Sequence, residues 1–426
     1  MKKKTVCALA LCAALSAGAV PVPVPQLDAP VTLAAAADSF TDASIQFLPL
    51  TKRTMKFWDG DQTGELLTSR WTTIDFLGDG FAEIASAIAD YNAKENRDAE
   101  EANAQMAADA RQERAERMAN GSPFYGPFER TRDIYVRRAD SRVVSFLESV
   151  SSYTGGVHGN YGVLGQNFDA RTGKQLSLSD VCPKTEGLIA AIIAQLGFDY
   201  PDAPFMKSGS TLMQDTVRQW VSDGVVSWTL DPRGVTFYFN PYVIGSYAEG
   251  IYTVTLLFSQ HPDLFAEYGY GYGPATYATE IQPYLVTRLS DSPRDHRLTV
   301  SGDENGITIT FGGETIRDAC SVRDIRPVVV EVPDRRHYLY VDCFDRARDQ
   351  RVIRVYDLNL SEPACIGVQP LTLLASPLAL EHKRDWYVIT NPADFMATST
   401  EREGLYPPDA RLRCRVGSDG RIEIIQ

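Results

Sequence analysis

Tyr153-Thr-Gly-Gly-Val-His-Gly159 is the stretch on which the reading of this chain turns. Three glycines around His158 mean that the backbone there enters conformations with positive φ, or that something packs too close to admit a Cβ. A histidine in such a turn serves as general base or metal ligand, or else as an orienting group bonded to a carbonyl or carboxylate. No second His or Cys lies near it in sequence, which favours the orienting role. Outward from this stretch come Asn167-Phe-Asp169, Thr172-Gly-Lys174 and Leu176-Ser-Leu-Ser-Asp180, and Asp169 reads as the cap of the Thr-Gly-Lys turn. Later come Val235-Thr-Phe-Tyr-Phe-Asn-Pro-Tyr242, Gly245-Ser-Tyr247 and Glu249-Gly-Ile251. Tyr153, Tyr242 and Tyr247 either bury paired hydroxyls or line a groove.

Strand patterns surround these motifs at 66–76, 133–138, 143–152, 161–168, 225–230, 235–240 and 251–258, with Asp231-Pro-Arg-Gly234 as a hairpin turn. Gly78-Asp79-Gly80 opens a long helix in which Phe81, Ile84, Ile88 and Tyr91 recur at helical spacing. From Lys94 to Met118 that stripe fades to Ala99, Ala102 and Met106 among many charges. This half is expected as a solvated helix projecting from the domain, or as a coiled-coil surface, and it stops at Asn120-Gly121. Two more helices are expected at 186–196, ending at Gly197, and at 212–222. Hairpins outnumber βαβ repeats, so residues 61–262 are expected to form an α+β domain, a mixed or antiparallel sheet with packed helices. A helical insertion lies near 94–119. Residues 263–284 turn to Tyr, Gly and Pro and read as a linker, whose Tyr268, Tyr270, Tyr272 and Tyr277 either stack on sugar rings or pack on their neighbours. Beyond it, short strands separated by turns such as Asp303-Glu-Asn-Gly306 and Gly417-Ser-Asp-Gly420 predict a second, all-β domain over 285–426, a sandwich or small barrel.

The motifs, taken in order, resemble the extracellular domain family found in the anti-sigma factor RsiV and in the N-terminal part of the peptidoglycan deacetylase PdaC. The family patterns run close to Y-x-G-G-A-H-G, N-F-D-x-x-T-G-K and F-Y-x-x-P-Y-x-I-A-P-Y-A-x-G. Arg138-Ala-Asp140 and Val144-Ser-Phe146 fit the family's first subdomain, and the likeness covers residues 60 to 260 and nothing after 285. Three departures stand out: Val157 in place of Ala, Gly245-Ser246-Tyr247 in place of Ala-Pro-Tyr, and the charged helix from Lys94 to Met118. The resemblance implies a binding activity toward lysozyme or peptidoglycan, with Tyr153, Gly155, Gly156, His158, Gly159, Tyr242 and Tyr247 as the binding residues. The deacetylase's T-F-D-D stretch and H-x-x-x-H pair have no counterpart. Thr73-Ile-Asp-Phe76 is a superficial echo, and the five histidines are scattered.

Composition sets the outer limits. Lys2, Lys3 and Lys4, the apolar run from Val6 to Val20 and the small residues at Ala17-Gly-Ala19 and Ala34-Ala-Ala36 read as a signal peptide within 1–36, followed by a leader over 37–60. The expected location is therefore secreted or the cell envelope, with no membrane span after cleavage. Net charge is −13, which argues against a nucleic-acid partner and suits a cationic one. Of the cysteines, Cys182, Cys320, Cys343, Cys365 and Cys414 follow the signal. One or two disulfides among the last four are expected, with Cys182 a buried thiol, and no C-x-x-C pair suggests zinc. No cofactor or metal is expected. The leading reading is an exported envelope binding protein for lysozyme or peptidoglycan. A cell-wall hydrolase or deacetylase-associated enzyme using His158, and a structural component assembled through the 94–118 helix, are the alternatives.

Overall fold

The computed structural model describes residues 45–425 except 47, 49, 61–63, 76–81, 140–141, 208–210, 266–276, 290–296, 333–335, 374–379, 384–385, 390–393 and 402–404. The expected signal peptide and the expected turn at Gly78-Asp79-Gly80, together with Tyr268, Tyr270 and Tyr272, therefore lie outside the described residues. A two-residue strand, β1 (Ile45–Gln46), is followed by β2 (Leu50–Trp58), β3 (Glu65–Ile74), helix α1 (Ala82–Ala119), β4 (Phe128–Ala139), β5 (Val143–Tyr153) and β6 (Asn160–Asp169). β2 falls inside the stretch expected to be leader. The strands β2 to β6 form one sheet in sequence order, with β3 and β4 parallel and the other pairs antiparallel. A parallel neighbour needs a crossover, and α1 supplies it.

Both faces of this sheet are covered because its strands alternate. On β5, Val144 and Phe146 enter the core beneath α1, whereas Val143 and Leu147 enter cores on the opposite side. The first turns of α1 bury Ile84 and Ile88, as their spacing predicts. Its second half does not project into solvent: Ala99, Asn103, Ala107 and Ala110 are buried, and the last two pack with Leu66, Leu67 and Phe128. A row of alanines lets the helix axis settle close to the sheet, an approach that larger side chains would prevent.

Helices α2 (Leu178–Val181), α3 (Thr185–Asp199), α4 (Pro204–Lys207) and α5 (Leu212–Ser222) come next, then the antiparallel sheet β7 (Ser227–Leu230), β8 (Gly234–Phe239) and β9 (Tyr252–Leu257). Leu188, Ile189, Ile192 and Leu196 of α3 and Met213, Val217 and Val221 of α5 close over Phe237 and Val254. α3 runs through Gly197 to Asp199, because burial of Leu196 and its neighbours carries the helix past a residue that usually ends one.

The remaining strands are β10 (Tyr277–Glu280), β11 (Thr287–Arg288), β12 (Arg297–Asp303), β13 (Gly306–Phe311), β14 (Glu314–Asp318), β15 (Val322–Glu331), β16 (His337–Asp345), β17 (Gln350–Asp357) and β18 (Ala364–Gln369). They are followed by β19 (Leu371–Leu373), β20 (Leu380–Lys383), β21 (Trp386–Ile389), β22 (Asp394–Ser399), β23 (Arg411–Val416) and β24 (Ile422–Ile424). The end of the expected linker is thus a strand, β10. A central sheet, β10-β15-β16-β17-β18, carries sheet β11-β12-β13-β14 on one face and sheet β19-β22-β23-β24 on the other, while β1-β20-β21 forms a small third. Along β16 the alternation is strict: Leu339, Val341 and Cys343 enter one core, Tyr338 and Tyr340 the other. That second core also contains Ile84, Val136 and Phe146, so apolar packing is continuous between the first sheet and this one. The fold is α+β followed by an all-β part.

Buried charge marks the junction. The β4–β5 register slips between Val136 and Arg138, so Arg137 is the extra residue of a bulge. Its guanidinium donates to Asp231 at 2.9 and 2.6 Å and to the Glu280 carbonyl at 3.0 Å. The buried Glu280 carboxylate accepts the Val136 N–H at 2.8 Å and pairs with Arg326. Glu331 accepts from Arg233 and, at 3.1 Å, from His337 Nε2.

The expected disulfides are absent: the five described cysteines are free thiols. Cys182, Cys343 and Cys414 are buried in three different cores, and Cys365 is exposed. Cys320 packs against the core that holds Cys343, where burial pushes the Cys343 thiol up to about 12.

Candidate functional site

The β5–β6 hairpin carries residues 154–159 at its end, and its glycines answer different demands. Gly155 and Gly156 have φ of 79° and 121°, which favour glycine, and Tyr153 closes the turn by donating its hydroxyl to the Gly156 carbonyl at 3.2 Å. Gly159 is required for space, since a Cβ there would stand 2.6 Å from the Ser152 carbonyl. His158 Nδ1 lies 2.9 Å from the Gly159 carbonyl and must carry a proton to donate to it. The Tyr247 hydroxyl donates to the same carbonyl at 2.7 Å. This bond from Nδ1 fixes the His158 ring against its own loop.

The second motif reaches the hairpin through Asn240. Its carboxamide accepts the Val163 N–H at 2.8 Å and donates to the Val163 carbonyl at 3.1 Å, continuing the ladder of β6 with a side chain. This places the 240–250 loop beside the hairpin tip. Tyr242 sits at φ 71° and bonds its N–H to the Gly245 carbonyl, while Ser246 and Glu249 form a reciprocal capping box. Hydrogen bonds from Ser246 and Tyr252 hold the Glu249 carboxyl below its usual range.

The rings then meet. His158 stacks on Tyr247 with centroids 4.1 Å apart, Tyr161 meets Tyr247 edge-on at 5.2 Å, and Tyr242 lies 5.9 Å from Tyr247. Such spacings are favourable for aromatic pairs. Partial burial and the neighbouring Tyr247 and Tyr242 raise the Tyr161 hydroxyl above its ordinary pKa. Tyr242 remains 65 % exposed, and Val157, at the tip, is 99 % exposed. A fixed loop therefore holds an apolar residue clear of the surface, with tyrosines at its foot. Beside it, the Glu113 carboxylate of α1 approaches Gly155, pairs with Arg117 at 2.6 Å, and Arg117 lies over the Tyr125 ring at 4.3 Å. Tyr125 is 53 % exposed and extends the aromatic surface onto the end of the helix.

All seven residues singled out in the sequence fall in this cluster or its supporting turns. Asn240, Tyr161, Arg117 and Tyr125 were missed as site residues. Asn240 stood inside a quoted motif, but Arg117 and Tyr125 carry no local signal, because their proximity depends on how α1 lies on the sheet. In the 167–180 motifs the Asp169, Ser177 and Asp180 side chains serve as caps: Asp169 caps its turn by accepting from Arg171 N, Thr172 N and Thr172 Oγ1, and Ser177 with Asp180 caps α2. Asp75, the carboxylate of the T-I-D-F echo, accepts from Thr51 Oγ1. Among the described residues no group of three or more His, Cys, Asp or Glu side chains is placed to hold a metal ion.

No curated protein matches the chain. Among the solved structures that resemble it at low similarity are two DUF3298 proteins. A DUF3298 family member from Bacteroides fragilis is 16% identical, covering 52% of this chain and 94% of its own, with a TM-score of 0.41. A DUF3298 family protein from Pseudomonas aeruginosa is 17% identical, covering 52% of this chain and 95% of its own, with a TM-score of 0.33. Residues 207–259, which supply Asn240, Tyr242 and Tyr247 to the cluster, match the family described as protein of unknown function (DUF3298).

Proposed function

We propose that this is an exported binding protein of the cell envelope, and that it captures a lysozyme-type hydrolase with the 154–159 hairpin tip. The observation that carries the reading is the tip itself: Val157 stands almost fully exposed on a loop braced by Tyr153, His158 and Tyr247. A braced loop loses little conformational freedom on docking, and tyrosines are enriched at interface hot spots. The convex tip suits entry into a partner's cleft better than enclosure of a small ligand. The net charge of −13 would steer a basic partner, and the resemblance to the RsiV and PdaC extracellular domains points to the same class. Export rests on the basic, then apolar, then small-residue order of the first residues.

Calorimetric titration of the protein with a basic C-type lysozyme, at low and moderate salt, tests this. Stoichiometric binding that weakens with salt and blocks the lysozyme is expected, and Val157→Lys should weaken it by about tenfold or more, the loss of roughly 1.4 kcal/mol at a central contact. A flat trace removes this partner. Co-sedimentation with peptidoglycan would then favour the glycan, and muropeptide turnover lost in His158→Ala would favour a hydrolase.

A further inference from the structure

A groove of about 410 Å³ opens between β6, the α2–α3 corner and the turn joining α5 to β7, within the size range of small-molecule sites. It shares no lining residue with the aromatic cluster. Its walls offer neutral hydrogen-bonding groups, among them Gln166, Gln175, Ser179 and Ser222, over an apolar floor that includes Leu176 and Val226. Among the described lining residues Asp223 is the only charged side chain, and it sits at the exposed rim.

The polar wall is fixed in advance. Gln166 Nε2 donates to Glu148 Oε1 at 2.8 Å, and its oxygen accepts from Gln175 Nε2 at 2.9 Å. Glu148 is itself buried and held by Arg132 Nε at 2.5 Å. Each end of the Gln166 amide keeps one further hydrogen-bonding position. The frame behind it is equally closed, since a Cβ on Gly165 would stand 1.8 Å from the Trp228 carbonyl.

This lining selects by chemistry. An anionic ligand would meet no cation and one carboxylate, and a cation would gain little from a single exposed Asp223. A neutral molecule with alternating hydroxyl and C–H faces matches both walls and floor. We infer that the groove binds a neutral saccharide of one or two rings, independently of any protein docked at the hairpin tip.

The test is titration of the full chain with cellobiose and with N,N′-diacetylchitobiose, followed by nuclear magnetic resonance shifts and calorimetry. Saturable binding of at least one disaccharide is expected. It should weaken about fivefold to tenfold in Gln175→Ala, the loss of one hydrogen bond, and be blocked in Ser222→Trp, with melting temperatures unchanged. Tyr247→Ala should leave it intact, which separates this site from the docking surface. Absence of saturable binding by both sugars, binding unaffected in both groove variants, or tighter binding of glucose 6-phosphate would each overturn the assignment.

Discussion

At Gly159 the spacing between two atoms decides the conformation of a whole loop. Replacing it with Ala would put a methyl group 2.6 Å from the Ser152 carbonyl, against backbone that cannot swing aside. Gly159→Ala should cost about 1–3 kcal/mol and displace the His158–Tyr247 stack, seen as a lower melting temperature and loss of the ring-current shift on the His158 protons. An unchanged shift would mean that the tip is not held from its base. Gly155, Gly156 and Gly159 were legible in the sequence because glycine has few reasons to cluster around a histidine. Asn240 was not. A carboxamide that stands in for a strand is indistinguishable, in one sequence, from one that faces solvent.

The contrast between the two halves of α1 belongs to the scale of the element. Ile84 and Ile88 announce their buried face, whereas Ala107 and Ala110 do not, although both are buried against Leu66, Leu67 and Phe128. Alanine fits a solvated helix as readily as a close contact, so periodicity alone led to an expected projecting helix. Ala107→Leu separates the two situations. On a solvated helix it would be almost neutral, since both residues favour helix. Against the sheet it should overpack and destabilise by about 1–3 kcal/mol in urea unfolding. A neutral result would return the helix to solvent. The helix also brings Arg117 and Tyr125 beside the hairpin tip, which is why that part of the candidate site was not legible from sequence.

For the whole molecule, the junction between the first sheets and the central β15–β16 sheet depends on buried charge. His337 and Arg233 converge on Glu331 there. Burial, aided by the Arg233 guanidinium, pushes His337 down to about 4 from an ordinary value of 6.5. Between those values the unfolded chain binds a proton that the folded chain refuses. Stability is therefore complete above about pH 6.5 and is lost as pH falls toward 4, by about 3 kcal/mol in all. His337→Gln should flatten this part of the pH dependence, measured by urea unfolding at pH 7 and pH 4.5, and an equal slope in both proteins would exclude His337 as its source. The strands of this half were legible from alternation and turns. Its buried ion pairs were not, because Arg137, Glu280 and Glu331 read as surface residues until the fold brings them together.

One consequence follows from the seam along β6, the last strand of its sheet. Much of what this strand turns outward is occupied: Val163 by Asn240, the Gly165 N–H by Ser227 Oγ, the Asn167 carbonyl by Leu176 N and the Asp169 N–H by the Lys174 carbonyl. A sheet border with much of its ladder already filled is a poor template on which another chain could add a strand. The border is guarded against aggregation by side chains and a folded-back turn instead of by charge. Association on this flank is therefore favoured through side-chain surfaces, such as the tyrosines that Asn240 helps to position.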